Sequence, residues 1–431
     1  MPLLLWLRRS ERLSTGALEA AQDRRLAALI AHAYANVPLY RRRFDAAGIV
    51  PSRFRGLEDL ARLPILTRKD VSSSRADLVA GNARRFRPVA RSTSGTTGSR
   101  LEFLTDAAST AIADAALWRF RAWHGAWPGH RLANIQITNA YRTSAGDIDP
   151  SRLRRYVPWA RTLYLNPIPT DADRLRFIAG ELARFRPVAL LSGPPSRAVL
   201  LGRYLLQHPA CRVRPRVVFT GGERVYDDQR ALLAEAFATR VVEVYGNEER
   251  AVFAGECREG RLHIASEMGI VEIVRDGVRC PPGEVGEIVI TNLWNRAFPF
   301  IRYAIGDVGY VEPEGCPCGR GLPTCRVIGG REKDLLATRR GPYWLPNSIA
   351  ATPRWRGKID GVRFYQEVPD AVAVQVVKGP EFTGEDAEAL RAHLHRLLDG
   401  LLDFTIEYHD SLDQTPGGKF RYVLSRVPTR P

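Results

Sequence analysis

Apolar residues in ALEAAQDRRLAALIAHAYANV (17–37) recur at helical spacing. That period predicts an amphipathic helix. Residues 1 to about 80 read as helical, with Pro38 and the GIVPSRF turn expected to end the part that carries this spacing. GLEDLARLPILTRKDV (56–71) gives a short helix, a proline break and a second helix starting at Thr67.

From 130 to 310 the period changes. RLANIQIT, PVALLSG, RVVFTGG, VVEVYG, GIVEIV and GEIVIT are short apolar runs that predict strands, as does LEFLTD at 101–106. Between them, DADRLRFIAGELARF, SRAVLLGRYLLQH and DDQRALLAEAFA predict helices. Strand–helix alternation of this kind implies a largely parallel sheet with helices on its faces. The close-set strands after 268 predict a separate, partly antiparallel layer. Beyond about 330 the pattern restarts in a smaller α+β unit. Its strands are GVRFYQEV, AVAVQVVKG and DFTIEYHD, and its helix is GEDAEALRAHLHRLLDGL.

The chain has 431 residues, 45% hydrophobic and 26% charged, a composition typical of globular proteins. No apolar run reaches the roughly 20 residues of a membrane span, and MPLLLWLRR lacks a cleavage pattern, so the expected location is the cytoplasm. The formal charge of +16 brings nucleic acid to mind. The basic residues are dispersed among acidic ones, however, which argues for an arginine-rich surface and against a nucleic-acid partner. Lysine is rare, with Lys69, Lys333, Lys358, Lys378 and Lys419 the whole set, so each is an informative choice.

RSTSGTTGSR (91–100) carries six hydroxyl residues and two glycines. Gly95 and Gly98 let the backbone approach a ligand closely. Its N–H groups, with the hydroxyls of Ser94, Thr96 and Thr97, can cradle phosphates. This stretch resembles the phosphate loop of the adenylate-forming (acyl-CoA synthetase) superfamily, and companion motifs follow in that superfamily's order.

TGGERV, with Gly222 and Glu223, is similar to the segment along the adenine ring. EVYGNEE resembles the next motif, in which Tyr245 and Gly246 meet adenine and Glu249 holds magnesium. RYAIGDVGYV supplies Asp307 for the ribose hydroxyls. GGREKDLL supplies Arg331 for the ribose and Lys333 as a hinge, and TPGGKFRYV supplies Lys419, the adenylation lysine.

The opening segment and CPCGRGLPTCRVIGGREKDLL resemble phenylacetate–CoA ligases and their relatives from capsular polysaccharide gene clusters. The resemblance implies an α/β fold with a large N-terminal AMP-binding domain of stacked, largely parallel sheets (1–331). A small mobile α+β C-terminal domain (332–431) would follow. It also implies activation of a small or aromatic carboxylic acid by ATP and Mg²⁺, then transfer to coenzyme A. Transfer to an amine or hydroxyl is the alternative, and a non-catalytic nucleotide-binding scaffold a further one. A homodimer is left open.

Three positions depart from the pattern. Gly98 is followed by Ser99 and Arg100 where Lys–Pro is usual, Glu248 replaces a Ser or Thr, and Ala350 replaces a Glu. An extra carboxylate at 248 repels an anionic substrate unless magnesium or an arginine neutralises it.

ECREGRLH and GCPCGRG together offer Cys257, His263, Cys316 and Cys318, a donor set suited to structural zinc; unligated thiols are the alternative. Cys325 is spare. His124 and His130 are expected in core or surface roles. Trp118, Trp123 and Trp127 are expected in packing, or alternatively along an aryl pocket.

Overall fold

A computed structural model describes residues 1–92, 101–136, 141, 149–168, 170–330, 336–339, 341–343, 353–355, 357–398, 400–413 and 422–427. The chain opens with α1 (Pro2–Ser10), α2 (Thr15–Asn36), α3 (Pro38–Ala46), α4 (Leu57–Leu60), α5 (Arg68–Ser73) and α6 (Arg75–Leu78). Next come β1 (Val89–Ser92), β2 (Glu102–Thr105) and α7 (Ala107–Trp123). The following stretch holds β3 (Leu132–Asn134), β4 (Arg154–Val157), β5 (Thr162–Leu165), α8 (Ala172–Phe185), β6 (Ala189–Gly193), α9 (Pro195–Gln207), β7 (Val217–Gly221) and α10 (Asp227–Phe237).

Then follow β8 (Arg240–Gly246), β9 (Phe253–Glu256), β10 (Leu262–Ile264), β11 (Gly269–Arg275), β12 (Val278–Arg279), β13 (Gly286–Asn292), β14 (Tyr303–Val311) and β15 (Thr324–Gly330). The C-terminal part contains β16 (Leu336–Thr338), β17 (Gly341–Tyr343), β18 (Ile359–Gln366), β19 (Ala371–Lys378), α11 (Gly384–Leu398), β20 (Asp403–His409) and β21 (Val423–Ser425).

These elements form two compact units: Met1–Pro128 with Val242–Ile328, and Gly129–Val241 with Gly329–Pro431. In the first, α2 is helical as its spacing predicts and buries Leu26, Leu29, Ile30 and Ala33 in a core shared with Phe298, Phe300 and Tyr303. Pro38 does not end the helical part; it stands at the first position of α3, where its missing N–H costs nothing. Thr67 starts α5 as expected, its side chain and that of Asp70 capping each other's backbone N–H. The strands after 268 are antiparallel, as expected. They are not a detached layer, because β14 continues through β15, β10 and β9 to β8.

Two arginines of this unit are buried against expectation. Arg119 on α7 makes a two-pronged contact with Glu267 at 2.7 and 3.1 Å and donates to the Leu7 carbonyl at 3.0 Å. Arg302 meets both oxygens of Glu272 at 3.1 Å and donates to the carbonyls of Ala61 and Leu63. The planar fork of guanidinium suits this shared duty to carboxylate and carbonyl.

In the second unit β7, β6, β3 and β5 are parallel neighbours in that order, with β4 antiparallel on the edge. Helices α8, α9 and α10 supply the apolar cover, through residues such as Ile178, Leu182, Leu201 and Leu233. A four-stranded sheet, β20-β19-β18-β21, packs on α11 through Leu390, Leu394 and Leu398. Within the same unit Arg203 of α9 lies 3.7 Å from Asp360, and the rings of Tyr226 and Tyr422 are 5.8 Å apart.

Candidate active site

The first unit brings three of the expected residues together. Tyr245 is the next-to-last residue of β8, and its hydroxyl donates to Asp307 Oδ2 on β14 at 2.6 Å. Burial, then the carboxylate of Asp307, pushes the tyrosine hydroxyl well above its usual range. Gly246 follows because the strand end is crowded: a Cβ there would stand 2.1 Å from the Phe253 ring.

The turn after β8 is pinned from several sides. Asn247 Oδ1 accepts from the N–H groups of Ala251 and Val252, and Arg250 pairs with Asp114 of α7 at 2.7 Å. Asn292 holds the Arg250 carbonyl at 3.1 Å. These three supports carry no motif signature; an asparagine after Tyr–Gly was the one hint.

Glu249 sits on this turn, only 6% exposed. Burial pushes its carboxyl up to about 7; Glu248 and Asp307 add to the rise, while its own backbone N–H and Arg68 oppose it. A carboxylate so placed is a ready ligand for a hard cation, because a cation removes the penalty that burial imposes. The charge at Glu248 faces compensation. Arg91, whose guanidinium is lowered first by burial and next by Arg250, feels the carboxylates of Glu248 and Asp114 acting the other way. Arg91 is on β1, which pairs antiparallel with β2, so the two strands bracket the hydroxyl-rich stretch.

In the second unit, β7 leads into Gly222, whose φ of +85° is left-handed and suits glycine. Glu223 Oε2 accepts from the Ser196 N–H at 3.3 Å, beside the start of α9. The neighbouring Arg197 is buried, and burial lowers its guanidinium against the opposing charge of Glu223. Ser94, Gly95, Thr96, Thr97 and Gly98, with Ser99 and Arg100, lie outside the described residues, as do Arg331, Lys333, Ala350 and Lys419.

The four metal-type residues also converge. Cys257 adjoins β9, His263 is on β10, and Cys316 and Cys318 precede β15. Their ligand atoms all lie within 4.8 Å of one another. Cys257 Sγ is 3.6 Å from Cys316 Sγ, and Cys318 Sγ is 3.3 Å from His263 Nε2. A tetrahedral zinc with ordinary Zn–S and Zn–N bonds needs edges of about 3.6–3.8 Å; the two contacts are near that length, and three thiols with an imidazole are the donor types zinc takes. His263 Nδ1 faces the Leu322 carbonyl at 2.9 Å; with its proton there, Nε2 is turned toward the thiols. Burial lowers the imidazole to about 4, which keeps it neutral and able to ligate.

Trp123 and His124 have packing roles. Trp123 donates to Glu11 at 2.9 Å and packs on the His263 ring, and buried His124 meets the Glu256 carbonyl at 2.7 Å. Cys325 is buried on β15, its thiol raised to about 12 by burial and then by Glu312 and Glu243.

No family profile matches the chain. Individual proteins do. A phenylacetate–coenzyme A ligase of Thermus thermophilus is 28% identical over 440 residues, covering 94% of this chain and 96% of its own. Protein CapK of Staphylococcus aureus is 24% identical over 380 residues, covering 86% and 81% respectively. Among solved structures, a 2-hydroxyisobutyryl-CoA ligase in complex with 2-HIB-AMP aligns with a TM-score of 0.77 at 21% identity, covering 97% and 91%. The structural likeness establishes the fold, and the full-length relatives agree with the order of motifs. Over nearly its whole length the chain is thus similar to a phenylacetate–coenzyme A ligase, and it shares the fold of an acyl-adenylate-bound CoA ligase.

Proposed function

We propose that this chain is an ATP-dependent acid–CoA ligase for a small or aromatic carboxylic acid. The observation that carries the reading is the grouping of Tyr245, Asp307 and Glu249 on β8, its following turn and β14. Full-length similarity to phenylacetate–coenzyme A ligases supports it. A carboxylate is a poor acyl donor because its charge is delocalised and oxide does not leave. In the first step a substrate carboxylate oxygen attacks the α-phosphorus of ATP. The bond to pyrophosphate breaks, and an acyl-adenylate forms. In the second the thiolate of coenzyme A attacks the acyl carbon, AMP departs, and the thiol proton passes to solvent.

The protein contributes position and charge. Asp307 would accept from the ribose hydroxyls, and the Tyr245 ring would lie on adenine. Glycine 222 and Glu223 would border the base, and Arg331 would add a second contact to the sugar. Residues 94–98 would hold phosphate oxygens. Lys419 would bridge substrate carboxylate and α-phosphate, and Lys333 would be the pivot of a mobile domain starting at 332. Magnesium, held by Glu249, would neutralise charge on the leaving pyrophosphate.

Zinc at Cys257, His263, Cys316 and Cys318 would be structural, since all four coordination positions are filled by protein. No described helix is long and apolar enough to cross a membrane, and we place the enzyme in the cytoplasm, where ATP and coenzyme A are at hand. Lys419→Ala tests the reading. It should abolish ATP–pyrophosphate exchange and leave capture of a supplied acyl-adenylate by coenzyme A nearly intact; equal loss of both half-reactions refutes the assignment.

A further inference from the structure

We propose that the Tyr245 hydroxyl is a positioning group for ribose recognition, acting through Asp307. This rests on the adenylation reading above and adds a role that ring stacking does not supply. The oxygen–oxygen distance of 2.6 Å lies in the range of a charge-assisted O–H···O⁻ bond. Both ends are framed by paired strands. Tyr245 sits opposite Ala254 in the β8–β9 ladder, and Val308, next to Asp307, sits opposite Glu287 in the β13–β14 ladder. The Tyr245 ring also packs against the main core of its unit, which limits its freedom to follow a moving carboxylate.

An aspartate on a strand normally samples several side-chain orientations, and a sugar that bound it would have to freeze one of them. Here the freezing is done before the sugar arrives. The hydroxyl takes one acceptor direction of Oδ2 and fixes the carboxylate plane, so the ribose meets an acceptor already aimed. Stacking of the ring on adenine and donation by the hydroxyl use different parts of one side chain, so both can operate together.

The test is Tyr245→Phe, which keeps the ring and deletes the donor. AMP, 2′-deoxy-AMP and 3′-deoxy-AMP are titrated calorimetrically into wild type and variant. The variant should bind AMP about tenfold more weakly, the loss expected of one hydrogen bond to a charged group. Each deoxy analogue should weaken by a smaller factor, because part of what the hydroxyl organises is no longer used. In turnover, KM for ATP should rise with kcat within twofold. In an Asp307→Ala background, where the acceptor is gone, Tyr245→Phe should have no effect on AMP affinity.

An equal loss for AMP and both analogues overturns the proposal, since stacking or general softening would produce it; so does no loss at all. Wild type that fails to bind AMP sinks the adenylation reading itself, a result distinct from either. Should Tyr245→Phe not fold, 4-aminophenylalanine incorporated at position 245 retains the ring and a donor at the para position. It must then bind AMP within threefold of wild type, and a tenfold loss there counts against the proposal.

Discussion

Replacing Glu249 with glutamine should make the magnesium-free protein more stable, by an amount that depends on pH. The carboxyl is pushed from an ordinary 4.5 up to about 7, first by burial. Each tenfold change in proton affinity is worth 1.36 kcal/mol, so the ionised buried form costs about 3 kcal/mol relative to the unfolded chain. The sign follows from which state holds the proton. Above pH 7 the carboxylate is charged in both states, and the folded protein bears the full penalty. Between 7 and 4.5 the folded protein takes up a proton before the unfolded chain does, and stability is regained as pH falls. Below 4.5 both states are protonated and the penalty is gone.

Glutamine mimics the neutral form at every pH. Glu249→Gln should therefore exceed wild type by about 3 kcal/mol at pH 8 and by little at pH 4.5. Urea unfolding of both proteins in chelator, at half-unit steps from pH 4.5 to 8.5, measures the difference. Other titrating groups are common to the two proteins and cancel in the comparison. A gap that stays flat across the series would refute the reasoning, because it would mean that packing and not charge separates the two side chains.

Three further outcomes are expected. Arg119→Met should destabilise by about 3–5 kcal/mol, because Glu267 is left charged and buried; Arg119→Met with Glu267→Leu should recover most of that, read by urea midpoints. Purified protein should carry close to one equivalent of zinc by elemental analysis, and Cys318→Ser should lower both zinc content and melting temperature. Less than half an equivalent, with the three thiols of the cluster reactive, would remove the zinc assignment. Gly222→Ala should cost about 1–2 kcal/mol in unfolding free energy, because alanine at a φ of +85° is strained; an unchanged midpoint would contradict that.

The sequence was most legible where a local rule sufficed. The Thr67–Asp70 cap, the helical spacing of α2 and the run VVEVYG each follow from neighbours within a few residues, and each appears where periodicity puts it. Motif order reached further, bringing Tyr245, Glu249 and Asp307 onto one list although 62 residues separate the first from the last. The bond between Tyr245 and Asp307 was beyond it, since that depends on strand register and ring direction. The metal-type cluster was half legible: residue types suggested it, and only the fold brings a β9–β10 hairpin to a loop some 55 residues later. Arginine misled most. A chain rich in arginine reads as a basic coat, yet Arg119, Arg174, Arg197 and Arg302 are buried because carboxylates and loop carbonyls wait for them inside.

Those buried pairs explain how the fold tolerates Glu249. A carboxylate raised to about 7 is a local cost, and the turn that holds it has to be fixed from outside its own residues. Asn247, Asn292 and the Arg250–Asp114 pair do that work at the surface end. Arg302 with Glu272 secures the start of β14 through two carbonyls of the α4–α5 connection. Rigidity here has a consequence for binding. If the turn could relax, Glu249 would swing to water, its proton affinity would fall to the ordinary value, and its grip on a cation would weaken with it. The penalty measured by Glu249→Gln without metal and the stabilisation that metal gives wild type therefore share one source, the buried charge, although the second also grows with metal concentration. At pH 8, saturating magnesium should close most of the gap between the two proteins, and it should leave the glutamine variant where it was.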